Sequence, residues 1–123
     1  MGKWQNDSML DAALNYIKTN GTQLSVCSAQ PTTYAEATST YKLAIKTITS
    51  TDFTGPANGD TSGRKITVNQ QASITIDSGG TATHIAVCSG SVLLYVTTCT
   101  SQVLSAGNQV TVPAWDIEIA DAA

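Results

Sequence analysis

Few residues in this chain could do chemistry. His84 is the single histidine, so any relay of the Ser-His-Asp or Cys-His type would have to run through it. It stands in Thr81-Ala82-Thr83-His84-Ile85-Ala86-Val87-Cys88, among apolar neighbours, with no nucleophile elbow and no carboxylate beside it. General base chemistry needs a positioned partner, so His84 is expected to be a packed or interface histidine. Asp116, Glu118 and Asp121 could form an acidic ledge, and paired carboxylates bind calcium or serve glycoside hydrolysis. Yet Asp116 and Glu118 alternate with Ile117 and Ile119, the pattern of a solvated edge-strand face where charge also discourages unwanted pairing. The run from Asp52 to Asp60 has the acidity of a calcium loop without the alternating ligands and terminal glutamate of an EF-hand. Gly79-Gly80 and Gly55 to Gly59 follow no strand-to-helix transition, so no phosphate cradle is read. No catalytic residue, cofactor or metal is expected, and the chain reads as a non-enzyme.

Cys27, Cys88 and Cys99 are an odd number at spacings that fit no zinc or redox motif. With a turn near Gly90, Cys88 lies at a hairpin tip and Cys99 well back along the return strand, which disfavours a bond between them. Buried thiols acting as small hydrophobes are expected, with an inter-subunit disulfide or a reactive thiol as the alternatives.

Composition narrows the classes. The chain has 123 residues, 41% of them hydrophobic and 12% charged, the latter about half of ordinary globular usage. Ser and Thr supply roughly a quarter of the chain. A polar but weakly charged surface suits β-structure and contact with copies or a lattice. One domain spanning 1–123 is expected. The net charge of −3 offers no basic footprint for nucleic acid. No stretch approaches the roughly 20 apolar residues of a membrane span, and the start Met1 to Asp7 lacks a signal-peptide core. The protein is expected to be made and kept in a cytoplasm.

The elements that would position any site are one helix followed by strands. Met9, Leu10, Ala13, Leu14 and Ile17 share a helical face over about residues 7–19, with Asp7 or Ser8 as cap, Ser8 with Asp11 as a capping box, and Asn20-Gly21 as the stop. Short strands are expected at Gln23–Cys27, Tyr41–Ile48, Arg64–Val68, Ala72–Ile76, Thr81–Cys88, Val92–Thr98, Gln109–Val112 and Trp115–Ile119. Residues 32–41 make either a helical turn or an irregular crossing. Residues 51–63, rich in Gly, Pro, Asn and Asp, read as an exposed loop. The fold class is mainly β, a single-domain antiparallel β-sandwich or jelly-roll-like barrel with one N-terminal helix and strands from about 22 to 120. In the hairpin around Gly90, Ile85, Val87, Leu93 and Tyr95 share one face, and Ala86, Leu94 and Val96 the other. Both faces are apolar, so the hairpin lies between two layers or meets another subunit. Trp4 and Trp115 are amphipathic aromatics of the kind enriched at interfaces, although either would also serve in a core.

Four stretches, residues 6–17, 27–37 and the closing Leu93–Thr98 with Pro113–Asp121, resemble a family of small proteins of tailed bacteriophages and prophages, and the similarity covers nearly the whole chain. The resemblance implies a virion structural component, most closely a capsid decoration or cement protein on the capsid surface. Such a protein is assembled in the host bacterial cytoplasm, binds the major capsid protein and forms a homo-oligomer, a trimer being favoured. It supplies no catalytic residues. Contact is expected through residues 1–6, the 51–63 segment and the apolar outer positions, which gives Trp4, Asn6, Phe53, Pro56, Asn58, Leu94, Val96 and Trp115 as candidate interface residues. A neck, tail or fibre-attachment protein is the alternative within the virion. A particle-surface carbohydrate-binding module, stacking sugar on Tyr34, Tyr95 or Trp115, is the alternative of another class.

Overall fold

Leu10 and Leu14 recur at helical spacing and both are buried, with Ile17 half-buried beside them. They anchor helix α1, Asp7–Asn20, in the computed structural model, which describes residues 6–120. Met9 and Ala13, expected on the same face, are exposed, so the buried stripe is narrower than the apolar one. The cap is Asn6, whose Oδ1 accepts the Ser8 N–H at 2.8 Å, and not Asp7 or Ser8. Asp11 is not the return half of a capping box; it reaches across to Arg64 instead. The helix stops at Gly21, whose N–H donates to Ile17 O at 2.7 Å. A Cβ there would meet that oxygen at 2.7 Å, Val87 at 3.0 Å and Phe53 at 3.1 Å, so only glycine lets the helix end approach the strands this closely.

Nine strands follow: β1 Gln23–Cys27, β2 Lys42–Thr47, β3 Phe53–Asn58, β4 Arg64–Val68, β5 Gln71–Thr75, β6 Gly80–Cys88, β7 Leu93–Leu104, β8 Gln109–Val112 and β9 Trp115–Ile119. They form antiparallel sheets in the orders β2-β1-β6-β7, β3-β4-β9 and β5-β8. The chain is therefore mainly β with one N-terminal helix, and its sheets pack sandwich-like around one core. Leu14, Leu24, Val26, Ile48, Phe53, Ile66, Val68, Ile85, Val87 and Ile117 join in that core, with alternate side chains turned inward where the ladders are regular. No helix among the described residues is long and apolar enough to cross a membrane.

The expected loop at 51–63 is only partly a loop. Thr49 and Asp52 cap a short 3-10 turn reciprocally, and β3 then runs through Phe53–Asn58. Phe53 is 4% exposed, and burying its ring favours a strand despite the Gly and Pro that follow. Those two residues are accommodated where the β3–β4 register shifts between Thr54 and Ala57, with Gly55 at φ 110, a bulge on an edge strand. Past the 3-10 turn, only residues 59–63 of this segment lie outside a strand, as the turn between β3 and β4.

The apolar second face of the hairpin is covered by the chain itself. Ser25, Cys27, Ala86 and Cys88 point away from the main core and are buried. Over them lies the segment Tyr34–Tyr41, a helical turn widened into π form at Glu36–Thr40 and closed by Tyr41 N–H donating to Glu36 O at 2.8 Å. Tyr34, Tyr41, Leu93 and Val96 pack around this smaller cluster. The faces of the two leucines are exchanged relative to expectation. A register shift between Val87 and Cys88 pairs Val87 with Tyr95 and Cys88 with Leu93, which sends Leu93 to the small cluster and Leu94 to the main core.

Candidate contact surface

The eight candidate contact residues do not form one patch. Trp4 and Asp121 lie outside the described residues. Phe53 is a core residue, which removes it from any surface: its ring packs beneath Gly21. Leu94 and Val96 are half-buried on opposite faces of β7. Trp115 stacks on Tyr95, with ring centroids 5.9 Å apart and planes 27° from parallel, and its indole N–H is buried without an acceptor. Tyr34 is half-buried and donates its hydroxyl to Gln23 Oε1 at 3.2 Å. The three aromatics considered as sugar platforms are thus each engaged within the fold. Among the described residues the exposed aromatic is Tyr16, at 59%, on the outer face of α1 about two turns from exposed Met9. Sequence reading missed Tyr16, although its spacing from Met9 and its place opposite Leu14 were visible.

Asn58 does come together with charged residues, beside the first half of α1; Asn6 caps that helix, and Pro56 follows Gly55, which meets its last turn. Arg64 on β4 donates from Nε to Asp11 Oδ1 at 2.8 Å, from Nη2 to Asp11 Oδ2 at 3.3 Å and from Nη1 to Asn58 Oδ1 at 2.8 Å. This fork ties the start of α1 to the end of β3. The Asp11 hydrogen bond and charge hold the guanidinium proton more firmly than usual. At the other end of the helix, Lys18 Nζ donates to Gly55 O at 2.9 Å. The helix is therefore pinned along β3, and its beginning stands beside the 59–63 turn.

That turn is held by a second polar group. Lys65 Nζ lies 2.7 Å from Asp60 Oδ1 and 3.3 Å from Asp116 Oδ2. Thr67 Oγ1 donates to Asp116 Oδ1, and the Asp60 N–H to Glu118 Oε1, both at 2.7 Å. Gly63, at φ 72, lets the chain pass against Ile119, where a Cβ would collide with backbone. The three carboxylates have oxygens within 4.8 Å of one another, and the Lys65 ammonium between Asp60 and Asp116 offsets one of the three negative charges. Hydrogen bonding from Thr67, and then from Lys65, holds the Asp116 carboxyl below its ordinary range, while the bond to Asp60 raises the Lys65 pKa. The arrangement closes the turn onto β4 and β9. As expected, Asp116 and Glu118 stand on the outward side of an edge strand.

His84 sits half-buried on the small-cluster face, opposite Cys27 on one side and Thr98 on the other. Its Nδ1 is 2.8 Å from Thr83 Oγ1, a local bond between chain neighbours that orients the ring and brings no carboxylate to it. All three cysteines are free, Cys27 and Cys88 buried and Cys99 half-buried. Burial raises each thiol's pKa, that of Cys88 to about 11, which makes the thiolate less available.

Between β7 and the β8–β9 connection the sandwich opens into two adjoining apolar clefts of about 200 and 330 Å³, both bordered by Ile85, Cys99, Thr100, Val112 and Pro113. The chain matches no protein-family model, no curated protein and no solved structure.

Proposed function

We propose that this protein is a bacteriophage virion structural protein, a capsid decoration or cement subunit that binds the major capsid protein and acts by contact. The observation that carries the reading is the gathering of the helix start at Asn6 and the 59–63 turn at one end of a stiff β-core, through the Asp11–Arg64–Asn58 fork. These two segments are the ones whose composition marks them for contact, and their juxtaposition lets them meet a surface together. The low charge of the remaining surface suits docking among many neighbours, since desolvating few charges costs little. A lattice clamp needs only modest affinity per subunit, because many engaged sites act together.

The test is binding to purified, undecorated heads. Wild-type protein is expected to saturate them at a copy number set by the shell. A variant lacking residues 1–6 and one with 59–63 replaced by a Gly-Ser turn should each lose occupancy while keeping the wild-type circular dichroism spectrum. Full occupancy by both variants would remove this end of the molecule from the interface.

A further inference from the structure

Among the described residues the three sheets have six edges, and five are blunted. β2 carries Lys42 and Lys46, and its outer backbone is occupied: Asp77 and Ser78 N–H both donate to Leu43 O, at 2.7 and 3.1 Å, and Ala44 bridges Ile76. β3 is interrupted by the Gly55-Pro56 bulge, and β9 presents Asp116 and Glu118. β5 is broken near its centre, with Ser73 at φ 59, and β8 has four residues. Short length, bulges, Pro and charge are the usual means of keeping an edge from pairing.

β7 has much less of this protection. It is the longest strand, 12 residues, and its ladder partner is β6 alone. Between Asp77 and Asp116 the sequence contains no Asp, Glu, Lys or Arg. Register shifts interrupt its pairing at Leu94 and between Thr98 and Gln102, leaving Tyr95–Thr98 as a regular run opposite His84–Val87. Beyond it Thr98 and Thr100 are exposed, and Val103 is 77% exposed.

We propose that the outer edge of β7, centred on Tyr95–Thr98, is a strand-pairing surface whose occupant is the same strand of a second copy, running antiparallel about a two-fold axis. The occupant must be extended, uncharged and without a second ladder partner, and β7 itself meets all three conditions. An isologous contact needs only one self-complementary patch, and Val96, Thr97 and Thr98 supply the β-branched cross-strand pairs that favour it. Pairing β7 with β2 of another copy would meet an occupied backbone; pairing it with β9 would set Asp116 and Glu118 against a neutral strand. The pairing stands whether or not a shell receives the protein, and it makes a dimer where the resemblance implies a trimer.

Sedimentation velocity of the whole protein from about 1 to 100 μM tests it, a range over which a pair with a dissociation constant of roughly 10 μM goes from mostly monomer to mostly dimer. Wild type is expected to form a dimer reversibly. The double variant Thr98→Lys with Thr100→Lys, which places two lysines on the joined edge of each copy, should weaken pairing at least about tenfold. Asn15→Lys with Thr19→Lys, on exposed positions of α1, makes the same change of charge and should pair as wild type. Should the edge variant fail to fold, amide exchange of the wild type answers the question: residues 95–98 should slow as concentration rises. A monomer or trimer throughout the range, equal weakening by both lysine pairs, or exchange at 95–98 that ignores concentration would overturn the proposal.

Discussion

Replacing Ser25 with alanine should loosen the cover over the small cluster without disturbing the main core. Ser25 is 0% exposed; its hydroxyl donates to Ala37 O at 2.5 Å, and its other contacts, Ala44 O at 3.5 Å and Cys27 Sγ at 3.6 Å, are long. Without it the Ala37 carbonyl keeps only the Cys27 thiol, 3.6 Å away. A buried carbonyl left nearly unpaired costs about 1–3 kcal/mol, and the bond spans β1 and the π segment, so the loss falls on local opening of that segment as well as on global unfolding. Taking about 1.5 kcal/mol, urea unfolding should show that loss of stability, and the melting midpoint should fall by about 6 °C. Opening that exposes Cys27 should become roughly tenfold more frequent. Peptide-resolved mass spectrometry of thiol alkylation reads that frequency at Cys27 separately from Cys99. Stability within about 0.3 kcal/mol of wild type, together with an unchanged Cys27 rate, would refute the reasoning that this hydroxyl holds the cover down.

Four further outcomes follow. In the native wild type Cys99 should alkylate first, with Cys27 and Cys88 protected until the fold opens, because only Cys99 is half-exposed; equal rates at all three thiols would contradict the burial. The unfolded Cys88 thiol ionises near 9.0 but the folded one at about 11, so its contribution is intact below pH 9 and is lost as pH rises to 11, roughly 2–3 kcal/mol in all. Urea midpoints of wild type and Cys88→Ala should therefore converge over that window. Asp116 has a depressed folded pKa, so its contribution is present above pH 3.8 and disappears as pH falls through the lower folded value; Asp116→Asn should be less stable than wild type at pH 7, with the gap closing in acid. Leu14→Ala, at a fully buried site, should cost about 2–5 kcal/mol by denaturant unfolding, whereas Met9→Ala should cost under about 0.5 kcal/mol.

Much of the fold was legible because period and punctuation agreed. Gln23–Cys27, Arg64–Val68, Gln109–Val112 and Trp115–Ile119 form strands within the bounds that alternation sets, and Asn20-Gly21 ends the helix where a stop was expected. Three features escaped for identifiable reasons. Composition outweighed a single buried ring at Phe53, so a bulged edge strand looked like loop. One register shift beside Cys88 exchanged Leu93 with Leu94, and sequence alternation carries no record of such a shift. The π segment was left open between two readings, although Thr33 and Glu36 stand at capping spacing. There Glu36 N–H donates to Thr33 Oγ1 at 3.1 Å, and Thr32 donates to Glu36 Oε1 from both N and Oγ1. The proposed contact surface was less legible than the fold. Its defining fork pairs residues 53 positions apart, Asp11 and Arg64, and long-range partners of that kind leave no local pattern.

The account rests on contact between assembled subunits, and imaging purified virus particles while counting this chain by mass tests it most directly. Copies distributed over the whole head, seated with the Asn6 and 59–63 end toward the shell, are the predicted result. Particles that lack the chain, or that carry it at a single vertex, would contradict a cement role; a free protein that turns over a substrate, with the activity abolished by His84→Ala, would contradict the reading of the molecule as a structural one.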